Sequence, residues 1–180
     1  GAAGLSAAWQ LALKGHDVDL YEAEERIGGK LEYSIPRERL PQTVLQGELE
    51  RLRSVGIHIH KQYPVNRDKF QEIYETHDAV VVAIGAHKGK VLTIEGEDYP
   101  INAYDFLKNI NLGNEAPVNE KDVVIIGAGN VAMDVAAQAF RLGAKSVTAV
   151  DIQKPAAFGK ELQIAEAAGI SKATLNRYCG

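Results

Sequence analysis

The sequence is short of several things, and each shortage removes a class of protein. There is one cysteine, Cys179. A single thiol cannot build an intrachain disulfide framework, a cysteine-rich zinc site or a Cys-x-x-Cys redox pair. A reducing, cytoplasmic setting is the expectation that follows. Charge of one sign is not in excess: 20 Lys and Arg stand against 24 Asp and Glu, a formal −4. That gives no electrostatic reason to expect nucleic acid or an anionic membrane as the main partner. No apolar run approaches the roughly 18 residues of a membrane span, and no signal-peptide pattern is visible. Methionine occurs once, at Met133, and tryptophan once, at Trp9. What is plentiful is ordinary globular material, 46% hydrophobic and 24% charged, enough to build a core.

The pattern along the chain alternates helix and strand. Residues 4–14 are rich in Ala and Leu and read as a helix ended by Gly15. Val18–Tyr21 reads as a strand with Glu22 at its carboxyl end, and Ile27–Leu31 as a turn. Residues 42–54 carry Val44, Leu45, Leu49 and Leu52 at helical spacing, and Gly56 stops them. Ile57–Tyr63 alternates like a strand, and Asp68–Glu75 is a short helix. Ala79–Ile84 is a continuous apolar run ending at Gly85, the signature of a fully buried parallel strand. Residues 86–120 are rich in turns, with one short helix near Tyr104–Asn109. Val123–Ile126 reads as a second buried strand, 130–142 as a helix stopped by Gly143, Ser146–Val150 as a strand ending at Asp151, and 160–168 as a helix. This alternation predicts α/β architecture with parallel sheet.

The strongest motif is Gly127-Ala128-Gly129-Asn130-Val131-Ala132, directly after a strand and opening a helix. It fits the dinucleotide-binding turn G-x-G-x-x-A. Gly127 permits the tight turn, Gly129 lets the backbone approach a pyrophosphate, and small Ala132 lets helix lie close on strand. Amides at the helix start, with the helix dipole, suit phosphate. Asp151, at the end of the next strand, suits a ribose 2′- and 3′-hydroxyl pair. A carboxylate there repels a 2′-phosphate, and Asp151-Ile152-Gln153 offers no arginine, so the motif favours NADH over NADPH. Met133 and Asp134 read as packing and solvated-helix residues. A weak internal repeat places the same series, glycine turn, helix, strand and acid, at 1–22. There Gly1 and Gly4 match the second and third glycines of G-x-G-x-x-G, with Glu22 as the acid.

Further motifs follow in order: Glu22-x-x-x-Arg26-x-Gly28-Gly29, Tyr33-Ser34-Ile35-Pro36, Arg39-Leu40-Pro41, Asp78 through Ala86, Gly96-Glu97-Asp98 and Asp105-Phe106-Leu107. With them the chain resembles, from Gly1 to about Gly169, the FAD- and NAD(P)-binding flavoprotein family typified by the small subunit of glutamate synthase. The electron-input segment of dihydropyrimidine dehydrogenase belongs to the same group. The resemblance implies two Rossmann-like domains, the first for FAD and the second for the nicotinamide nucleotide. It implies hydride transfer to the flavin and onward one-electron transfer to an iron–sulfur or flavin partner. It places Gly1, Gly4 and Glu22 at the FAD pyrophosphate and ribose, Gly29 and Lys30 near the FAD, and Ile35 and Pro36 along the flavin. Gly85 joins that set. Gly127, Gly129, Asn130, Val131, Ala132 and Asp151 fall to the second nucleotide. Three departures stand out: Ala2 where proline is common, Ile84 where threonine is frequent, and Asp151-Ile152-Gln153 where arginines are frequent. Phe158-Gly159-Lys160-Glu161 keeps the family pattern. The expected domains are 1–102 for FAD, 103–120 as a connection and 121–180 for NAD(P), both folds incomplete. The strand before Gly1 is central in the doubly wound order, so these 180 residues alone are expected to be marginally stable and inactive.

No side-chain acid or base is expected, because the cofactors carry the chemistry. His58 and His60 share a strand face and read as polar surface, and Trp9 and Tyr21 as core. Lys14, Lys61 and Lys69 read as solvated, and Cys179 has no role. Residues 163–178 also resemble a helix-turn-helix, with Gly169 at the turn and Ser171 capping a second helix. This supports an alternative of another class, a non-catalytic nucleotide-binding regulatory module linked to DNA. Net acidity and the lack of a third helix disfavour it.

Overall fold

The computed structural model describes residues 1–87, 100–151 and, as backbone, 175–177. The chain divides into two units, Gly1–Lys88 and Gly89–Gly180.

In the first unit, α1 (Ala2–Leu13) leads through a glycine with left-handed backbone, Gly15, into β1 (Asp19–Tyr21). β1 pairs in parallel with β2 (His58–His60), matching Asp19 to His58 and Tyr21 to His60. Between them lie α2 (Lys30–Tyr33) and α3 (Gln42–Ser54). α4 (Arg67–Thr76) follows β2, its first turn capped by Asn66 Oδ1, which accepts from Lys69 N at 2.9 Å. The core collects Leu5 and Ala8 from α1, Val18, Ile27, Ile57, and Leu45, Leu49 and Leu52 from α3. Full burial of each such leucine is worth about 1.5–3 kcal/mol. The helix over 42–54 emerges as its apolar spacing predicts. Val44 is the exception, exposed on the outer side of α3. It stands beside Leu45 in sequence, and neighbours on a helix point about 100° apart.

The predicted strand over 79–84 does not form. Val81 and Val82 are exposed and Ile84 is 77% exposed. An apolar run reports a preference for burial, whereas a strand needs a partner for its backbone groups. Among the described residues no strand lies beside this segment. Ala83 turns instead toward α1, where a Cβ at Gly4 would sit 3.5 Å from its own Cβ.

In the second unit, α5 (Ala103–Asn111) precedes β3 (Asp122–Ile126), α6 (Asn130–Arg141) and β4 (Ser146–Asp151). β3 and β4 pair in parallel from Asp122–Ser146 to Ile126–Val150. Residues 103–120 contribute Phe106, Leu107 and Val118 to a core with Ile125, Met133, Ala136, Ala139 and Val147. Here β3 departs from its expectation: Ile125 is buried, while Val124 and Ile126 are exposed. Side chains alternate across a strand, and among the described residues α6 covers one face. Asp134, expected in solvent, is buried together with Gln138 one turn on. Ala132, Ala136 and Ala139 bring α6 so close to its neighbours that its flanking positions are covered too.

β5 (Leu175–Arg177) adds to the sheet in parallel, pairing Ala149 with Leu175 and Asp151 with Arg177. This corrects the second helix of the helix-turn-helix reading. The edge of β4 offers unpaired backbone groups, and an extended segment satisfies them. The predicted helix over 160–168, the Gly96-Glu97-Asp98 and Phe158–Glu161 motifs, Ile152-Gln153 and Cys179 lie outside the described residues. No helix among the described residues is long and apolar enough to cross a membrane.

Candidate functional site

Two glycine-rich turns carry the sequence-predicted residues. In the first unit, Gly1 caps α1, its carbonyl accepting from Leu5 N at 3.0 Å. The Gly1 nitrogen lies 3.9 Å from Glu22 Oε2 at the end of β1. A Cβ on Gly29 would stand 2.7 Å from Gly1 Cα, and Gly29 has φ of +56°. Both the contact and the dihedral demand glycine. Gly1, Glu22 and Gly29 therefore converge at the amino end of α1. Lys30 is exposed, and its carbonyl accepts from Ser34 N and Ile35 N, both at 3.0 Å. That closes the turn leading to Ile35 and buried Pro36. Gly4 faces Ala83 at ordinary contact distance, two residues before Gly85. Gly85 itself is exposed, with φ of +72°.

The second turn is built differently. Gly127 has φ of +111° and donates its N–H to Val150 O at 2.7 Å. Ala128 N donates to Asp151 Oδ2 at 2.6 Å. Gly129 caps α6, and its carbonyl accepts from Met133 N at 3.1 Å. Cβ atoms on Gly127 or Gly129 would meet nothing within 4 Å, so the backbone there faces open space. Asn130 and Val131 are exposed in the first helical turn, while Ala132 is buried against the sheet. The glycine pair, the helix start and the acid thus meet at the carboxyl end of a parallel sheet, where ligands of open α/β sheets bind. The chemistry fits a dinucleotide at both turns: bare backbone, amides at a helix start and a carboxylate within reach.

Two clusters escaped the sequence reading. Glu32 on α2 is 0% exposed. Its carboxylate accepts from Arg37 Nη2 at 3.1 Å, Arg26 Nη1 at 3.3 Å and Gln42 Nε2 at 3.2 Å. Arg26 N also donates to Tyr33 Oη at 3.0 Å. The signal was faint, because these partners follow no helical or strand period.

The second cluster centres on Asp19. His60 Nε2 stands 2.5 Å from Asp19 Oδ1 and His77 Nε2 3.3 Å from Oδ2. The hydrogen bond to His60 is the main influence holding the Asp19 carboxyl below its ordinary value, against burial. Tyr21 stacks on His60 at 4.7 Å, and burial, aided by the Asp19 charge, pushes its phenol up. Lys69 Nζ lies 4.0 Å from the Tyr63 ring centroid, so this lysine covers an aromatic face. His58 pairs with Asp17 at 3.1 Å. The two strand histidines thus face carboxylates, as polar surface residues do. Among the described residues no group of three potential metal ligands comes together.

Comparison with known proteins gives the chain a family. The family model of pyridine nucleotide-disulphide oxidoreductases matches residues 1–172. The NADP(+)-dependent formate dehydrogenase subunit beta of Moorella thermoacetica is 36% identical over 178 residues, which is 94% of this chain and 25% of that protein. The glutamate synthase [NADPH] small chain of Azospirillum brasilense is 34% identical, over 82% of this chain and 33% of its own. The NAD-dependent dihydropyrimidine dehydrogenase subunit PreT of Escherichia coli K12 is 36% identical, over 95% and 42%. The chain therefore spans a quarter to two-fifths of the length of these curated relatives. Among solved structures, 2-naphthoyl-CoA reductase in complex with 2-naphthoyl-CoA superposes with a TM-score of 0.66 at 22% identity, over 94% of this chain and 26% of that one. That likeness concerns the α/β, Rossmann-like fold. The chain belongs to the pyridine nucleotide-disulphide oxidoreductase family.

Proposed function

We propose that this chain is the nucleotide-binding part of an NAD(P)H-dependent flavoprotein oxidoreductase of the glutamate synthase small-subunit type, acting in the cytoplasm. In this reading FAD takes the first turn, through Gly1, Gly4, Glu22, Gly29, Lys30, Ile35, Pro36 and Gly85. NADH takes the second, through Gly127, Gly129, Asn130, Val131, Ala132 and Asp151. Electrons leave to an iron–sulfur or flavin partner. The observation that carries the reading is the repeated series of glycine turn, helix, strand and acid, with Glu22 near Gly1 and Asp151 on Ala128.

When bound, the two cofactors supply the redox chemistry, a hydride from the nicotinamide reducing the flavin. The chain's residues orient and shield. Backbone amides at the starts of α1 and α6 hold phosphate oxygens, and the absence of Cβ at Gly127 and Gly129 leaves room for them. Glu22 and Asp151 accept from ribose hydroxyls. No side chain is needed to move a proton; the contribution is geometry. The names of the relatives divide between NAD and NADP. Asp151 supports NADH, since its carboxylate repels a 2′-phosphate.

The test is NADH-dependent reduction of a one-electron dye by the intact protein. Turnover that requires FAD and runs faster with NADH than with NADPH is expected. Failure to reduce the dye with either nucleotide, in FAD-saturated protein, would overturn the enzyme reading. A strong preference for NADPH would overturn the reading of Asp151.

A further inference from the structure

We propose that Asp19, His60 and His77 are positioning residues for Glu22: they lock the end of the β1–β2 ladder and so set the carboxylate offered to the ribose of FAD. The inference rests on the FAD reading of the first turn. The three residues act through the backbone that carries Glu22.

Glu22 is the first residue past β1, and β2 with the turn after it holds its main chain. The Glu22 N–H donates to His60 O at 2.8 Å, and the Glu22 carbonyl accepts from Tyr63 N at 2.9 Å. Gln62 stands between those two partners in sequence and has φ of +52°, which residues other than glycine seldom adopt. Its own N–H donates to Glu24 O at 3.1 Å. The left-handed residue lets the chain leaving β2 stay bonded to the chain leaving β1. Backbone strain of this kind gathers where a function needs a fixed geometry. The Glu22 carboxylate is aimed as well: Oε1 accepts from Glu24 N at 3.2 Å, and Oε2 is the oxygen toward the Gly1 nitrogen.

What secures this end of the ladder is the second observation. Three residue pairs of parallel strand hold little by themselves. Leu20 and Ile59 pack one face of the pair against the core. Asp19, Tyr21 and His60 belong to the other face. Tyr21 and His60 are direct cross-strand partners, with rings stacked 16° apart in plane. His60 meets one oxygen of Asp19 and His77 the other. His77 ends α4, and its Nδ1 lies 2.9 Å from Ile73 O. One carboxylate therefore ties β1 to β2 and to the end of α4, beside the residue whose carbonyl fixes Glu22. The lowered Asp19 carboxyl agrees with a charged group held by these bonds. An acid fixed before the ligand arrives lowers the ordering cost of binding.

The experiment is a double-mutant cycle on FAD affinity in the intact protein, read by flavin fluorescence. Glu22→Gln and His60→Ala should each weaken FAD binding about tenfold. Together they should weaken it no more than either alone, because the two residues act through one contact. Leu49→Ala, which removes core from α3, should lower the melting temperature and leave FAD affinity near that of the parent. Losses that multiply in the double variant overturn the proposal, since His60 would then act without Glu22. Equal loss of affinity in Leu49→Ala overturns it too, since general stability would explain the result. If His60→Ala does not fold, Asp19→Asn takes its place in the cycle, with the same outcomes expected. A parent protein that takes up no FAD overturns the flavoprotein reading and this inference together. A parent that loads, with Glu22→Gln weakened and the cluster variants indistinguishable from the parent, overturns this inference only.

Discussion

The two glycine-rich turns are copies in sequence pattern and differ in how they are made rigid. At the first, the glycine opening α1 is held from outside, by Gly29 across a backbone contact too close for any side chain. Glu22 stands off at 3.9 Å. At the second, nothing crowds Gly127 or Gly129, and the acid itself closes the turn through its bond from Ala128 N. The same local signature thus serves two strategies. One turn borrows stiffness from a distant loop, and the other is self-contained. The difference predicts which substitutions unfold the protein and which merely block a ligand.

The largest effect should come from Gly29→Ala. It places a methyl 2.7 Å from Gly1 Cα, at a φ that L-residues resist. Strain of this kind costs of order 1–3 kcal/mol, and the clash adds to it, so thermal unfolding should shift down by several degrees and FAD uptake should fall with it. Gly129→Ala is the counterpart. Its φ is −81° and its surroundings are open. Stability should stay within about 0.5 kcal/mol, while NADH binding weakens about tenfold or more. Equal melting losses in the two variants would erase the distinction between the turns.

Asp151→Ala should sit between them. It removes a hydrogen bond to a charged group, worth about 1.5–3 kcal/mol, and with it the repulsion of a 2′-phosphate. Modest destabilisation should accompany a rise in NADPH affinity relative to NADH, measured by equilibrium titration with each. An unaltered ratio would remove Asp151 from the specificity argument.

The smallest expected effect concerns pH. Asp19 titrates below its ordinary value of 3.8 in the folded state, first through its bond with His60. Its contribution to stability is therefore present above the unfolded value and is lost as pH falls through the lowered one. Acid unfolding followed by circular dichroism should be less steep below pH 3.8 in Asp19→Asn than in the parent. Identical acid limbs would show that the His60–Asp19–His77 cluster does not link folding to protons.

Much of this was legible in the sequence. Helices α3 and α6 and strands β1 and β4 carry their own periodicity and stop signals, so local physics placed them. The turn around Gly127 was legible because its glycines and Asp151 stand in the order and spacing of the dinucleotide-binding motif, directly after a strand. The failures share a cause, dependence on a partner that sequence does not name. The run at 79–84 is apolar enough for a buried strand but finds no neighbour among the described residues. Residues 175–177 read as helix and pair instead with the edge of β4. Glu32 was invisible because its three partners come from three different segments.

Whether the two turns work together is tested by anaerobic titration of the FAD-loaded intact protein with NADH, watching the visible flavin band. Stoichiometric bleaching, slower or weaker with NADPH, is the predicted result. A flavin that stays oxidised with both nucleotides would contradict the claim that the two turns serve one electron-transfer reaction.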